Sequence, residues 1–383
     1  MHIVFVGLAG VPRLSRACDV RLTFFANLLA KKYDVTILNR YSSAEDKIMM
    51  NAQLREGIST IEIINPRTTS GIISKLLFVL SVFIEPINLF ILNKNKKIDI
   101  IHIYSNHYFD FLLYRFVSRI IGSKVIAQYV EYRSEHKHWK QNLYHRINSY
   151  LCDYKGAKLW DGFIPISNFL KEKALAVNPN LKWLLVTPLC DFKVFDDNNM
   201  PNPENKPYLF YCGNVGYEDV INLIIEAYKK SKISKKDSLV LVLSGKTTQI
   251  ETFKSQHKDI KILSRLDYNN LIAYYKHADG LFIPLKPIIS EVARFPNKVC
   301  EYLASHGLII TTNVGEMGNY FQDGVNAIVA EKYSPESLTQ KLDMLASGKY
   351  NVVSIKKQAY QTGINNFDIN AYKNSIFPFF ESI

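Results

Sequence analysis

The stretch RFPNKVCEYLASHG, from Arg294 to Gly307, combines two cations, a proline, a glutamate and a terminal glycine. Pro296 suits the first turn of a helix and Gly307 its C-terminal stop. On such a helix Val299 and Leu303 face a core, while Lys298, Glu301 and Ser305 share another side by three- and four-residue spacing. Lys298 falls in the first turn, where the helix dipole disfavours a cation. An anion held there would satisfy Lys298, Arg294 and the free backbone amides together. Glu301, one turn further in, would then accept hydrogen bonds from neutral hydroxyls. Phosphate followed by vicinal hydroxyls is the layout of a nucleotide. A solvated lysine and a surface glutamate fit the same spacing, and the residues alone leave both readings open.

Elements must hold this stretch in place, and the chain supplies them in a regular order. Short apolar strands alternate with helical stretches: HIVFVG, DVRLTFFANLLAKK, YDVTILN; then IDIIHIYS, FDFLLYRFVSRIIG, KVIAQYVEY. This is the βαβ rhythm of a parallel sheet. It restarts in PYLFYCG, INLIIEAYKKS, LVLVLSG, NNLIAYYKHA and GLFIPL, so Arg294–Gly307 follows a strand and precedes LIITTN. The punctuating segment VTPLCDFKVFDDNNMPNPENKP is polar and rich in Pro, Asp and Asn, which sets a boundary near Asp191. The fold class expected is α/β, with two doubly wound domains facing each other over residues 1–190 and 191–365, and a helix over 366–383 packing back on the first. Ligands in such sheets bind at the carboxyl ends of the strands.

Composition narrows the setting. The chain has 383 residues, of which 48% are hydrophobic, enough for two cores. Its cysteines, Cys18, Cys152, Cys190, Cys212 and Cys300, have no paired or metal-ligand spacing, which points to a reduced, cytoplasmic protein. The opening MHIVFVGLAG has no basic region before its apolar run and reads as a first strand. Of the formal net charge of +12, residues 1–190 carry +11, from 25 Lys+Arg against 14 Asp+Glu. The N-terminal half is therefore expected to face something anionic. The basic residues are scattered and accompany no recognition motif, so a membrane surface is favoured over nucleic acid.

The segment RFPNKVCEYLASHGLIITTNVGEMGNYFQDGVNAIV resembles the donor-binding part of retaining family 4 glycosyltransferases of the GT-B fold. GLAGVP is similar to that family's first glycine loop, with Gly10. DGFIPISNFL, VTPLCDFKVF, YLFYCGNVGYEDVINLIIEAY and LVLVLSGK look like later segments in the same order. The resemblance implies metal-independent hexosyl transfer from a nucleotide-sugar, UDP- or GDP-linked, to an acceptor hydroxyl with retention and without a cofactor. It also implies that Glu301 binds the donor ribose. The family's preceding glutamate would fall at Ala293, with Glu291 two residues away, so the backbone of Phe295, Pro296 and Asn297 is expected to hold the donor sugar. Where the family often has Arg and Lys after the glycine matching Gly213, this chain has Asn214 and Asp219. Arg294 and Lys298 are therefore the expected partners of the diphosphate, with Lys246 and Arg265 beside them. Val130 falls where a histidine is common in the family, and Glu131 follows it. Glu131 is taken as the acceptor-side carboxylate, positioning a hydroxyl or accepting its proton. The alternative is an ion pair to Arg133 or Arg115. His102 and His107 read as strand-end packing or solvated histidines.

No Asp-x-Asp triplet and no His/Cys/carboxylate cluster with metal spacing occurs, so no metal is expected. Two other functions fit the same fold: a nucleotide-sugar epimerase, and a degenerate homologue that binds a nucleotide-sugar without transfer. Residues 71–99 form a long apolar run interrupted by Lys75, Glu85, Pro86 and Asn88, and ending at Lys94, Lys96 and Lys97. It is read as not spanning a membrane. It either lies on an anionic leaflet or consists of buried helices beside a solvated lysine loop. The family's frequent lipid-linked acceptors favour a peripheral enzyme on the inner face of the cell membrane, extending a glycan or lipid-linked acceptor in lipopolysaccharide or capsule assembly.

Overall fold

Two parallel β-sheets, each covered by helices, organise the chain in the computed structural model. It describes residues 1–8, 17–40, 54–64, 72–134, 143–197, 199–264 and 266–383. The chain divides into two units: Met1–Thr187 together with Tyr372–Ile383, and Pro188–Ala371.

Unit 1 contains β1 (His2–Leu8), β2 (Asp34–Asn39), β3 (Ser59–Glu62), β4 (Ile100–Ile103), β5 (Lys124–Tyr129), β6 (Gly162–Pro165) and β7 (Lys182–Trp183). Their order across the sheet is β3-β2-β1-β4-β5-β6-β7, and the pairs are parallel. Ile3, Val4, Phe5 and Val6 are all fully buried, as expected for a strand covered on both faces. The helices Ile72–Asn95, Tyr108–Ile121 and Leu143–Lys155 lie among these strands in sequence. The helix Lys373–Ser382 also belongs to this unit. Its Phe380 ring lies 5.6 Å from His102, and Tyr33 donates to Glu381 at 2.8 Å.

Residues 72–95 form one continuous helix through Pro86. Proline removes the bond that its N–H would make to the Val82 carbonyl, and two residues on Asn88 Nδ2 donates to Ile84 O at 3.1 Å. The alternative of fully buried helices is not met. The helix buries Ser81, Glu85 and Leu89 while exposing much of its apolar side. Lys96 is paired with Asp34 at 2.5 Å, and both side chains stay more than half exposed.

Unit 2 contains β8 (Tyr208–Asn214), β9 (Ser238–Ser244), β10 (Lys261–Leu263), β11 (Gly280–Phe282), β12 (Ile309–Thr312) and β13 (Ile328–Ala330). Their order is β10-β9-β8-β11-β12-β13, again in parallel register. Helix starts are fixed by side-chain caps: Asp267 accepts from Asn270 N, and Ser334 from Ser337 N ahead of Pro335. The core joins Leu209, Ile224, Leu241, Phe282, Ile310 and Ile328 from strands and helix.

Candidate active site

In unit 2 the strand order reverses between β8 and β11. The crevice outside the carboxyl ends of such strands is where open α/β sheets hold ligands. The segments leaving those two strands are tied together. Arg294 Nη1 donates to the Tyr217 hydroxyl at 2.7 Å, and the guanidinium carbon lies 4.8 Å from the Tyr217 ring centre. Lys286 Nζ donates to Asp219 at 2.8 Å. Arg294 also pairs with buried Glu291 at 2.5 Å, while its Nε has no partner among the described residues. Arg294 is thus held by an aromatic face, a hydroxyl and a carboxylate, and its charge is largely answered before any ligand arrives. Asp219 likewise spends its charge on Lys286.

The helix that follows is short, Lys298–Ala304. Val299 and Leu303 are fully buried, as their spacing requires. Pro296 lies two residues before the first helical residue, and its carbonyl accepts Val299 N at 3.2 Å. Gly307 is not the left-handed stop. That conformation falls on His306, at φ 55°, after the helix has ended. Gly307 is instead a packing requirement, because a Cβ there would lie 2.1 Å from Leu281 Cδ1. With under two full turns the helix dipole is small, so Lys298 acts through its own charge. Among the described residues no ion pair involves Lys298.

Lys298 and Glu301 stand one turn apart on the same side. Burial pushes the half-buried Glu301 carboxyl above the usual carboxylate range, against the pull of Lys298. Tyr268 donates to Glu301 Oε1 at 3.3 Å. Burial also raises the Cys212 thiol on β8, again opposed by Lys298. Gly213 follows Cys212. A Cβ there would meet the Tyr211 hydroxyl at 2.3 Å, so glycine leaves room for that ring. Phe295 is buried against Tyr320 and Phe367, with ring centres 5.4 Å away in both cases. Its side chain therefore anchors the loop, and only its backbone is free to meet a ligand. The Asn297 carbonyl accepts Cys300 N at 3.2 Å and the Cys300 thiol at 2.9 Å. Lys246 is exposed just after β9, at the N-cap of the helix Thr247–Gln256. Gly10 and Arg265 lie outside the described residues. None of the candidate residues lines the groove of about 570 Å³ between Asn313 and Lys341.

A model of the family described as glycosyl transferases group 1 matches residues 193–362. The match covers somewhat under half of the chain and most of unit 2. The group 1 segment spans the switch point, Arg294, Lys298 and Glu301. Solved structures similar to the whole chain include sucrose-phosphate synthase from Thermosynechococcus elongatus, at 14% identity and TM-score 0.77, covering 100% of this chain and 98% of that one. Anabaena Alr3699/HepE, solved in complex with UDP and glucose, is similar at 12% identity and TM-score 0.72, covering 100% of each chain. The lipopolysaccharide outer core galactosyltransferase WaaB, in its apo form, is similar at 14% identity and TM-score 0.65, covering 99% of each chain. These identities carry the fold, two α/β units of the GT-B type. No curated protein sequence matches the chain.

A second cluster lies in unit 1, beyond β5. Glu131 is about half exposed and paired with Arg133, whose Nε donates to it at 2.7 Å. Arg115 is occupied elsewhere, with Asp161 at 2.7 Å. The loop carrying Glu131 is fixed by Asp153, which the sequence reading did not single out. Asp153 accepts from Tyr129 OH (3.0 Å), Arg133 N (3.0 Å), Ser134 N (2.8 Å) and Ser134 Oγ (2.7 Å). Burial raises its carboxyl, and these donors oppose the rise. Its only sequence signal is a carboxylate on the inner side of a helix. His102 is fully buried between Phe5, Phe25 and Phe380, with Gln128 Nε2 at 3.0 Å. Burial, and then Arg21, hold its ring neutral with a pKa of about 3. It is a packing residue, as its position suggested.

A larger network also escaped the sequence reading. Arg40, Glu85, Asp110 and Tyr114 are all buried. Arg40 donates to Glu85 at 2.6 Å and to Asp110 at 2.8 and 3.0 Å, and Tyr114 OH donates to Glu85. Gly7 N donates to Glu85 Oε1 at 3.1 Å. Gly7 sits at φ 80°, and a Cβ there would lie 2.8 Å from Tyr104 O. Glu85 thus holds the strained end of β1 in place.

Proposed function

We propose that the protein transfers a sugar from a nucleotide-sugar, UDP- or GDP-linked, to the hydroxyl of a glycan or lipid-linked acceptor, with retention and without a metal. The observation that carries this reading is Lys298 and Glu301 on one side of the short helix at the unit 2 switch point. Lys298 and Arg294 meet the diphosphate, with Lys246 as a further cation. Charge accumulates on that phosphate as the glycosidic bond breaks, so these contacts strengthen in the transition state. Glu301 accepts hydrogen bonds from the ribose, and the backbone at Phe295–Asn297 and Gly213 lines the sugar side. Glu131 orients the acceptor hydroxyl or receives its proton once Arg133 is displaced. The basic first unit sits peripherally on an anionic membrane, which fits a lipid-linked acceptor of cell-envelope polysaccharide assembly.

The test separates phosphate from nucleoside. Lys298→Ala should weaken a nucleoside diphosphate at least tenfold while changing the free nucleoside less than twofold, both measured by calorimetry. Equal losses would remove Lys298 from the phosphate. The ion pairs already made by Arg294 and Glu131 favour one rival, a binder without transfer. Product formed from a donor and acceptor panel decides between them.

A further inference from the structure

Three helices of unit 1 bury polar residues and leave apolar stripes exposed. On Ile72–Asn95 the buried side carries Ser81, Glu85 and Leu89, and Glu85 is 0% exposed. Its opposite side carries Leu76, Val79, Phe83, Ile87 and Ile91, at intervals of three and four residues, with Phe83 57% exposed. On Tyr108–Ile121 the buried side mixes Asp110 and Ser118 with Phe111, Tyr114 and Val117, while Phe109, Leu112, Phe116 and Ile120 face out, with Phe116 63% exposed. On Leu143–Lys155 the buried positions are Ser149 and Asp153, while Leu143, Ile147 and Tyr150 are exposed. Tyr108–Ile121 packs against both of the other helices. The Phe83 and Phe109 rings lie 6.3 Å apart, so the first two stripes run together. Soluble surfaces carry single apolar residues, not contiguous stripes of this length.

The charges on these helices are sorted as well. The carboxylates Glu85, Asp110 and Asp153 are all buried and hydrogen-bonded inward. Lys94, Arg119, Arg146 and Lys155 are exposed. A face that is apolar at its centre and cationic wherever it is charged complements an anionic lipid headgroup layer above acyl chains. A partner protein surface does not call for this sorting. No helix among the described residues is long and apolar enough to cross a membrane.

We infer that this three-helix face seats unit 1 in an anionic bilayer by inserting Phe83, Phe116 and their neighbours, and not by charge alone. The inference rests on the acceptor reading above, whose lipid-linked substrate would then be met at the bilayer surface. Insertion and adsorption differ in salt. Charge pairing is screened as ionic strength rises, whereas apolar insertion persists.

The full chain should co-sediment with vesicles of mixed phosphatidylglycerol and phosphatidylcholine, and a substantial fraction should stay bound at high salt, where the screening length shrinks to a few ångström. Phe83→Gln combined with Phe116→Gln and Ile120→Gln should weaken vesicle affinity at least tenfold. These side chains are exposed, so the fold is retained, and donor affinity reports both on this and on the separate donor site. Arg119→Gln with Arg146→Gln should lower binding severalfold at low salt only. As a gain of signal, Phe116→Trp should show blue-shifted emission, quenched by brominated acyl chains. Vesicle affinity within twofold of the parent in the triple variant, or unshifted indole emission from the Phe116→Trp protein, overturns the inference. So does a stable dimer of the parent that the triple substitution converts to monomer, because a second copy would then be the occupant.

Discussion

Glu301 is the residue on which the donor reading turns, and its environment makes a pH signature. Burial raises its carboxyl, so protonation begins above the usual carboxylate range. In the proposed complex a ribose hydroxyl would donate to the carboxylate, and the protonated acid is the weaker acceptor. Donor affinity should therefore fall as pH drops through the raised value, and Glu301→Gln should abolish the dependence. The same substitution should cost about 1–3 kcal/mol of donor binding at neutral pH, the range for hydrogen bonds to a charged group. Calorimetric titrations across a pH series give both numbers, and unchanged affinity in Glu301→Gln removes the ribose contact. Lys298 and Glu301 were legible because helical spacing alone puts them on one side. The partners were less so. Tyr217 reaches Arg294 across 77 residues of sequence, and Tyr268 reaches Glu301 across 33. Only the Glu291–Arg294 pair, at three-residue spacing, could have been read locally.

At the scale of elements, the alternation of strands and helices was legible because parallel strands buried on both faces are nearly all apolar. The helix Ile72–Asn95 shows where that logic stops. Glu85 and Pro86 look like interruptions of an apolar run. In the fold Glu85 is an anchor, reached by Arg40 from 45 positions earlier. Periodicity marks the two sides of a helix but not which side the rest of the fold covers. Here the side that carries Glu85 is covered, and a stripe of apolar residues is not. Removing Arg40 would leave Glu85 and Asp110 buried without a cation, and such losses cost about 3–5 kcal/mol. Arg40→Met should thus destabilise unit 1 by that amount in urea melts. Arg40→Met combined with Glu85→Leu and Asp110→Leu should recover most of it, since a well-packed apolar set replaces a buried ion pair at little cost. If Arg40→Met melts within about 1 kcal/mol of the parent, the scale of an exposed pair, the network contributes no more than surface pairing.

At the scale of the whole chain, the two units differ in how they are written. Unit 2 is one continuous segment, Pro188–Ala371, whereas unit 1 needs Tyr372–Ile383 to be complete. Those residues fill a real gap: Phe380 is buried beside His102, and a Cβ on Gly162 would lie 2.5 Å from Ile383 Cδ1. Phe380→Ala should cost unit 1 about 3–5 kcal/mol, as for other buried aromatics cut to alanine. It should leave the affinity of unit 2 for donor unchanged. A matching loss of donor affinity would mean that the segment serves both units.

The discontinuity also sets a clock. A ribosome adding about 5–20 residues per second needs on the order of ten to forty seconds to make unit 2. Throughout that interval the sheet of unit 1 exists without its final cover, with the surface around His102 and Phe163 open to water. The earlier-made half must wait for Tyr372–Ile383. The nascent chain therefore passes through a state in which the first half is made but not closed, a client for chaperones.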